Sequence, residues 1–178
     1  MSFPVPANES GRVAALRALE ILDTPPDPAY GEIAELAAQV CRCPIGYISF
    51  IDEERMWFKA KYGMPPDMTG LPREITVCAT TICGAELHTV PDLREDARFS
   101  AFPYVAGDPH FRFYCGMPLV TEEGYALGTL CLMDFEPSSS RLRRSGGCRG
   151  RFSLNWSCVA VSSNIVKRSK SSIGRDPS

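Results

Sequence analysis

The sequence predicts an α+β fold with antiparallel strands, and three observations lead to it. Two amphipathic helical segments come first, between Arg12 and Val40. Two apolar runs, Pro44–Asp52 and Met56–Tyr62, then flank a short polar turn at Asp52-Glu53-Glu54-Arg55. A second pair, Phe111–Val120 and Tyr125–Asp134, flanks Thr121-Glu122-Glu123-Gly124. Strands that come as hairpin pairs, rather than alternating with helices, build α+β sheets and not doubly wound ones.

Each element has its own signal. Ser10 or Asn8 is placed to cap a helix through Arg12 to Leu22, in which Val13, Leu16, Leu19 and Leu22 recur at helical spacing. Thr24-Pro25-Pro26 stops it, because proline cannot continue a helix. Asp27 caps a second helix with Pro28 at its first position, and Tyr30, Ile33, Leu36, Ala37 and Val40 line its predicted inner face. After the first hairpin, Thr76 caps a short helix through Cys83, His88–Val90 reads as a short strand, and Leu93–Phe99 as a short irregular helix. Pro103 and Gly107-Asp108-Pro109 mark an irregular loop. The closing hairpin follows, with Cys115, Leu119, Leu127 and Leu130 expected in the core.

Composition narrows the function classes. A chain of 178 residues suits one domain with a tail. No apolar run approaches the roughly 18 residues that span a bilayer. The start, MSFPVPANES, lacks the basic and apolar regions of a signal peptide, so a cytoplasmic location is expected. The net charge of −2 conceals a division. From Arg141 onward nine basic residues face one acidic residue, Asp176, which leaves a net of −10 before position 141. An acidic body argues against nucleic acid as a partner. Twelve serines and Gly146-Gly147 set the stretch after Pro137 apart. A segment translated in a shifted frame, an appended segment or a basic interaction tail would each read this way, and disorder or loose docking is expected for it. The eight cysteines show no Cys-x-x-Cys spacing, so a zinc site is not indicated, and Cys115 and Cys131 read as small apolar strand residues.

Five motifs in order carry a family resemblance: ALRALEILDTPPD (residues 15–27), PIGYISFIDEERMWFKAKYG (44–63), VCATTI (77–82), VPDLREDARFSAFPYV (90–105) and HFRFYCGMPLVTEEGYALGTLCLMD (110–134). Over about residues 12 to 137 the chain resembles a GAF domain, of the subgroup found in bacterial sensor histidine kinases and diguanylate cyclases or phosphodiesterases. The resemblance implies a GAF/PAS-like central antiparallel sheet of about six strands with helices on both faces. It divides the chain into an N-terminal extension (1–11), the sensory domain (12–137) and an atypical tail (138–178). In this subgroup Phe-Cys-Ala-His usually stands where this chain has Val77-Cys78-Ala79-Thr80, and Ala where it has Cys115, so ligand identity does not carry over.

The implied function is non-catalytic sensing of a small molecule or other signal, passed to the terminal helices by a population shift. The expected partners are an unspecified small molecule, a second copy in a homodimer, and the kinase or cyclase output domain of a parent signalling protein. No cofactor is specified by the residues. A concave site is expected between the sheet and the loops from Pro65 to Pro109, lined by Trp57, Cys78, Asp92, Arg112 and Tyr114: a few polar groups among apolar walls. Arg112 is flanked by Phe111 and Phe113, so it needs a partner, and either an ion pair with Asp92 or Asp96 or an anionic ligand would supply one. Two readings compete with sensing. One is a cysteine-dependent redox enzyme similar to free methionine sulfoxide reductases, with Cys78 activated by His110; the other is a purely structural dimerisation module. A bilin is disfavoured because neither Cys78, Cys83 nor Cys115 is followed by His, and nothing around His110 requires haem.

Overall fold

The computed structural model describes residues 3 to 138. The basic, serine-rich stretch from 139 onward, and the expectation of disorder attached to it, lie outside the described residues. Six strands form one antiparallel sheet: β1 (Ile45–Ile51), β2 (Arg55–Tyr62), β3 (Gly70–Pro72), β4 (His88–Val90), β5 (Phe113–Val120) and β6 (Ala126–Asp134). Their order is β3-β2-β1-β6-β5-β4, so the two hairpins meet at the β1–β6 seam in the middle. Helices α1 (Glu9–Ala18) and α2 (Pro28–Cys41) cover one face. The short helices α3 (Val77–Thr81) and α4 (Pro103–Ala106) and their loops cover the other. The α+β class, the central antiparallel sheet and helices on both faces are as the sequence predicts. Strand β3 had no signal of its own, being three residues long with a proline at its end.

Both faces of the central strands are buried, so β1, β5 and β6 read as continuous apolar runs. On the helix face Ile48, Phe50, Leu119, Leu127 and Leu130 pack with Leu16 and Tyr30. On the loop face Tyr47, Phe58, Tyr114 and Cys131 pack with Val77, Cys78 and Phe99. Cys115, Leu119, Leu127 and Leu130 are all buried, as expected.

Three helical expectations need correction. The first helix begins at Glu9 and ends at Ala18, because Glu20 and Asp23 take positive φ and turn the chain before the prolines are reached. Asn8 occupies the N-cap position without a side-chain capping bond. In the second helix Asp27 does cap, its Oδ1 accepting from the Ala29 N–H at 2.9 Å. Its inner face, however, is Tyr30, Ala34 and Ala38, whereas Leu36 and Val40 are 55 % and 61 % exposed. The small residues face inward because this helix lies directly on β1: a Cβ on Gly46 would fall on the Ala34 carbonyl oxygen. Leu36 and Val40 are too large for that close approach. The third correction is the Leu93–Phe99 segment, which forms turns instead of a helix. Asp92 and Asp96 each accept a bond from the N–H two residues on, of Arg94 and Arg98, at 3.0 Å, and so compete with helical hydrogen bonding.

The N-terminal helix is tied down by charge. Arg12 and Arg73 are 0 % and 1 % exposed and share the Glu9 carboxylate. Arg12 Nη1 also donates to the Ile51 carbonyl at 2.6 Å, and Arg73 Nη1 to that of Asp52 at 3.1 Å. The cluster therefore joins α1, the β1–β2 turn and the 3₁₀ turn Arg73–Ile75. Nε and Nη2 of Arg73 have no hydrogen-bond partner among the described residues, and its guanidinium carbon lies 4.9 Å from the Phe3 ring centroid.

Candidate functional site

The polar groups of the loop face converge on two thiols. Register places Tyr47 of β1 directly opposite Cys131 of β6, with Gly116 of β5 opposite Cys131 on its other side. Gly116 leaves room that a side chain would fill, since a Cβ there would strike the Tyr114 hydroxyl. That space lets Tyr114 reach back until its Oη is 3.2 Å from Cys131 Sγ. Helix α3 closes the arrangement and delivers Cys78, whose Sγ is 3.5 Å from Cys131 Sγ, 3.4 Å from Tyr47 Oη and 3.5 Å from Tyr114 Oη. All four side chains are buried.

Chains of polar contacts extend from this centre in two directions, one toward the surface and one into the sheet. Tyr114 Oη is 2.8 Å from Thr81 Oγ1, which is 2.9 Å from Nδ1 of the half-buried His88. Inward, Cys131 Sγ is 3.0 Å from Thr129 Oγ1, itself 3.0 Å from Ser49 Oγ at the β1–β6 seam. Aromatic rings wall the layer above: Phe99, Phe102, Tyr104 and Phe111 follow one another at centroid separations of 5.6, 5.7 and 6.0 Å.

This burial sets the acid–base character. Burial pushes the Tyr47 and Tyr114 hydroxyls well above the usual phenol range, and the neighbouring thiols reinforce the shift. Burial, then the hydrogen bond and charge of Cys78, raise Cys131 likewise. Cys78 goes the other way. Burial opposes its ionisation, but hydrogen bonding with Cys131, Thr129, Tyr47 and Tyr114, in that order, outweighs it and brings the thiol down to about 6. His88 is held below the ordinary imidazole range by burial and then by Arg98.

Of the five residues expected to line a site, Cys78 and Tyr114 meet at this centre. Asp92 and Arg112 sit on the same side of the molecule but are engaged elsewhere. The Asp92 carboxylate takes both Nε and Nη2 of Arg94, at 3.0 and 2.6 Å, which keeps it below the usual carboxylate range. Arg112 donates from Nη1 to the carbonyls of Val105 and Phe111, at 2.8 and 3.0 Å, and its charge reaches Asp92 without an ion pair. The ion pairs expected for Arg112 are thus replaced by Asp92–Arg94 and Asp96–Arg98. Trp57 lies on the opposite face, packed with the helices and beneath Lys59, whose Nζ is 5.8 Å from its ring centroid. Met56, Trp57 and Phe58 alternate regularly between the two faces, and Trp57 pairs with Phe50 of β1 on the helix side, away from the loop face expected for it. His110 is exposed, at φ 64°, and does not serve Cys78 as a base.

Nothing local in the sequence joins Tyr47, Thr81, His88 and Cys131 as a group. Gly116 carried the available signal, because an isolated glycine inside an apolar strand marks a close approach. Among the described residues no cluster of three or more His, Cys, Asp or Glu is placed to hold a metal ion.

Residues 25–145 match the GAF domain family. The chain belongs to that family. A cyclic di-GMP phosphodiesterase of Pseudomonas aeruginosa is 40 % identical over 134 residues, a match covering 75 % of this chain and 22 % of that protein. The GAF domain therefore spans about a fifth of the length of the curated relative it matches. Among solved structures, the GAF domain of a phosphoenolpyruvate-protein phosphotransferase from Coxiella burnetii is similar with a TM-score of 0.61 at 14 % identity, covering 93 % of this chain and 99 % of that one. A free methionine-R-sulfoxide reductase from Neisseria meningitidis, solved with its substrate, also gives 0.61 at 13 % identity, covering 97 % and 96 %. At such identities the likeness is one of fold. It extends across sensory modules and enzymes alike, so function has to be argued from the residues.

Proposed function

We propose that this GAF domain is a non-catalytic sensory module of a larger signalling protein. It receives a small molecule or another signal on the loop face and passes the response to α1 and α2. The observation that carries this reading is the polar centre of Cys78, Tyr114, Tyr47 and Thr81, buried beneath an aromatic-walled layer of short helices and turns. A few oriented polar groups among apolar walls suit recognition of a small ligand. The same strands carry the helices on their other face, so a shift at Tyr47 or Cys131 is felt at Ile48 or Leu130. Asp92 and Arg112 flank this layer, and an anionic ligand would engage Arg112 by replacing a carbonyl partner. A thiol enzyme of the sulfoxide-reductase kind fits less well: at 1 % exposure Cys78 is closed to a substrate as large as an amino acid.

The relative's cyclic di-GMP chemistry suggests the output of the parent protein, a nucleotide-signalling or kinase domain linked to this module. Among the described residues no helix is long and apolar enough to cross a membrane. A cytoplasmic setting suits this reading. A homodimer is a further expectation, with the exposed Leu36 and Val40 of α2 as its contact.

Mass spectrometry of the protein purified natively from its own host tests the sensing reading. A retained small molecule is expected, and adding it back to the emptied protein should alter amide exchange in α1 and α2. Arg112→Ala should weaken binding if that molecule is anionic. Failure of any retained or screened molecule to change melting or exchange would overturn the reading.

A further inference from the structure

We infer that Cys78 and Cys131 form a peroxide-oxidisable dithiol, which closes to an intramolecular disulfide and so pins α3 to β6. This goes beyond ligand sensing and stands or falls separately from it. Both are free thiols, and they sit on separate elements 53 residues apart with their sulfurs 3.5 Å from each other. A disulfide needs about 2.05 Å, so closure requires roughly 1.5 Å of movement, shared between two side chains.

The surroundings suit the chemistry. Two hydroxyls, of Tyr47 and Tyr114, lie within hydrogen-bond reach of Cys78 Sγ and stabilise a thiolate there. The proton has a way out, from Tyr114 through Thr81 to the half-buried His88. The thiolate of Cys78 attacks one oxygen of hydrogen peroxide and the O–O bond breaks. The departing hydroxide takes a proton and leaves as water, with Cys78 as the sulfenic acid. The sulfur of Cys131 then attacks the Cys78 sulfur and the S–O bond breaks. The second hydroxide leaves as water with the Cys131 proton. Two thiols have given two electrons to one peroxide, yielding a disulfide and two waters. A reduced dithiol protein reverses the step by thiol–disulfide exchange once the loop layer opens.

Burial adds selectivity. At 1 % and 0 % exposure the pair is closed to bulky disulfides in the folded protein, while a small uncharged peroxide can reach it through local opening. The exposed Cys83 provides an internal contrast, since it would react first if access alone decided.

The test uses the full chain, reduced and then treated with hydrogen peroxide. Samples are denatured, alkylated and weighed intact, and peptides are mapped. The expected result is loss of two alkylatable thiols, a mass 2 Da lower before alkylation, and a cross-linked peptide joining Cys78 to Cys131. Cys131→Ser should abolish the cross-link, and Cys83→Ser should leave it intact. Tyr114→Phe should slow its formation several-fold. Because a core serine can unfold the domain, Cys131→Ala serves as the second variant, with Cys78 expected to stop at the sulfenic acid, trapped by dimedone. Recovery of both Cys78 and Cys131 as alkylated thiols while Cys83 is oxidised would overturn the inference. So would a disulfide mapped to any other pair.

Discussion

Neutralising Glu9 should reveal how strongly the N-terminal helix is tied to the sheet. Its carboxylate receives Arg12 at 2.7 and 2.8 Å and Arg73 at 2.5 Å, with both guanidinium groups buried. Burial alone would raise the Glu9 carboxyl, but the Arg12 and Arg73 hydrogen bonds and charges outweigh it and bring it from 4.5 to about 2. A fall of that size corresponds to about 3 kcal/mol favouring the folded state with Glu9 ionised. Since the folded value is the lower one, this stability is fully present above about pH 4.5. It drains away as pH falls toward 2. Glu9→Gln removes the countercharge and leaves two buried cations together, a loss of about 3–5 kcal/mol at pH 7. Urea denaturation at several pH values from 7 to about 3 measures both effects. Other carboxylates, including Asp92 and Asp96, are also held below their ordinary range by arginine partners, so the informative quantity is the difference between wild type and variant. That difference should shrink as the pH drops. A loss below 1 kcal/mol at pH 7, or a difference independent of pH, would refute the reasoning.

Leu130→Ala should cost about 2–5 kcal/mol, because Leu130 is buried between β6 and the two long helices; an unchanged thermal melt would count against its core position. Gly46→Ala should cost about 1–3 kcal/mol and loosen α2, read as faster amide exchange around Ala34 and Ala38, since the new methyl meets backbone that cannot swing aside. Gly116→Ala should push the Tyr114 ring away from Cys131 and change the tyrosine signals in near-ultraviolet circular dichroism, while a superimposable spectrum would show that the ring does not depend on that space.

The strands and hairpins were legible because their signals are local. Thr121 to Gly124 between two apolar runs specifies a turn wherever it occurs, and Gly124 adopts φ +86° there. The inner face of α2 was not legible in this way. Hydrophobicity favours Leu36 and Val40, whereas the helix was placed by the absence of a side chain on Gly46, a residue of a different element. The site followed the same pattern. Cys78 and Tyr114 stood out as polar-capable residues in apolar runs, but their neighbours Tyr47 and Cys131 come from strands 84 residues apart, and only the β1–β6 register brings them face to face. Trp57 falls on the helix face because it pairs with Phe50 of β1, and which face a β2 residue takes depends on that pairing with another strand.

That register also bears on how a signal would cross the sheet. The β1–β6 seam holds Tyr47 opposite Cys131 on the loop face, and the next pair, Ile48 opposite Leu130, packs against the helices. One position further, Ser49 and Thr129 are fully buried and joined at 3.0 Å, and Gly128 lies so close to β1 that a Cβ would meet the Ser49 carbonyl oxygen. The seam is therefore tightly packed and poorly able to absorb a shift by local adjustment. On the proposed sensing and dithiol readings, a displacement of Cys131 or Tyr47 would be passed on to Ile48 and Leu130 instead of being dissipated within the strands. The side chains that receive it, Leu16 of α1 and Tyr30 of α2, belong to the two helices best placed to carry a response out of the domain.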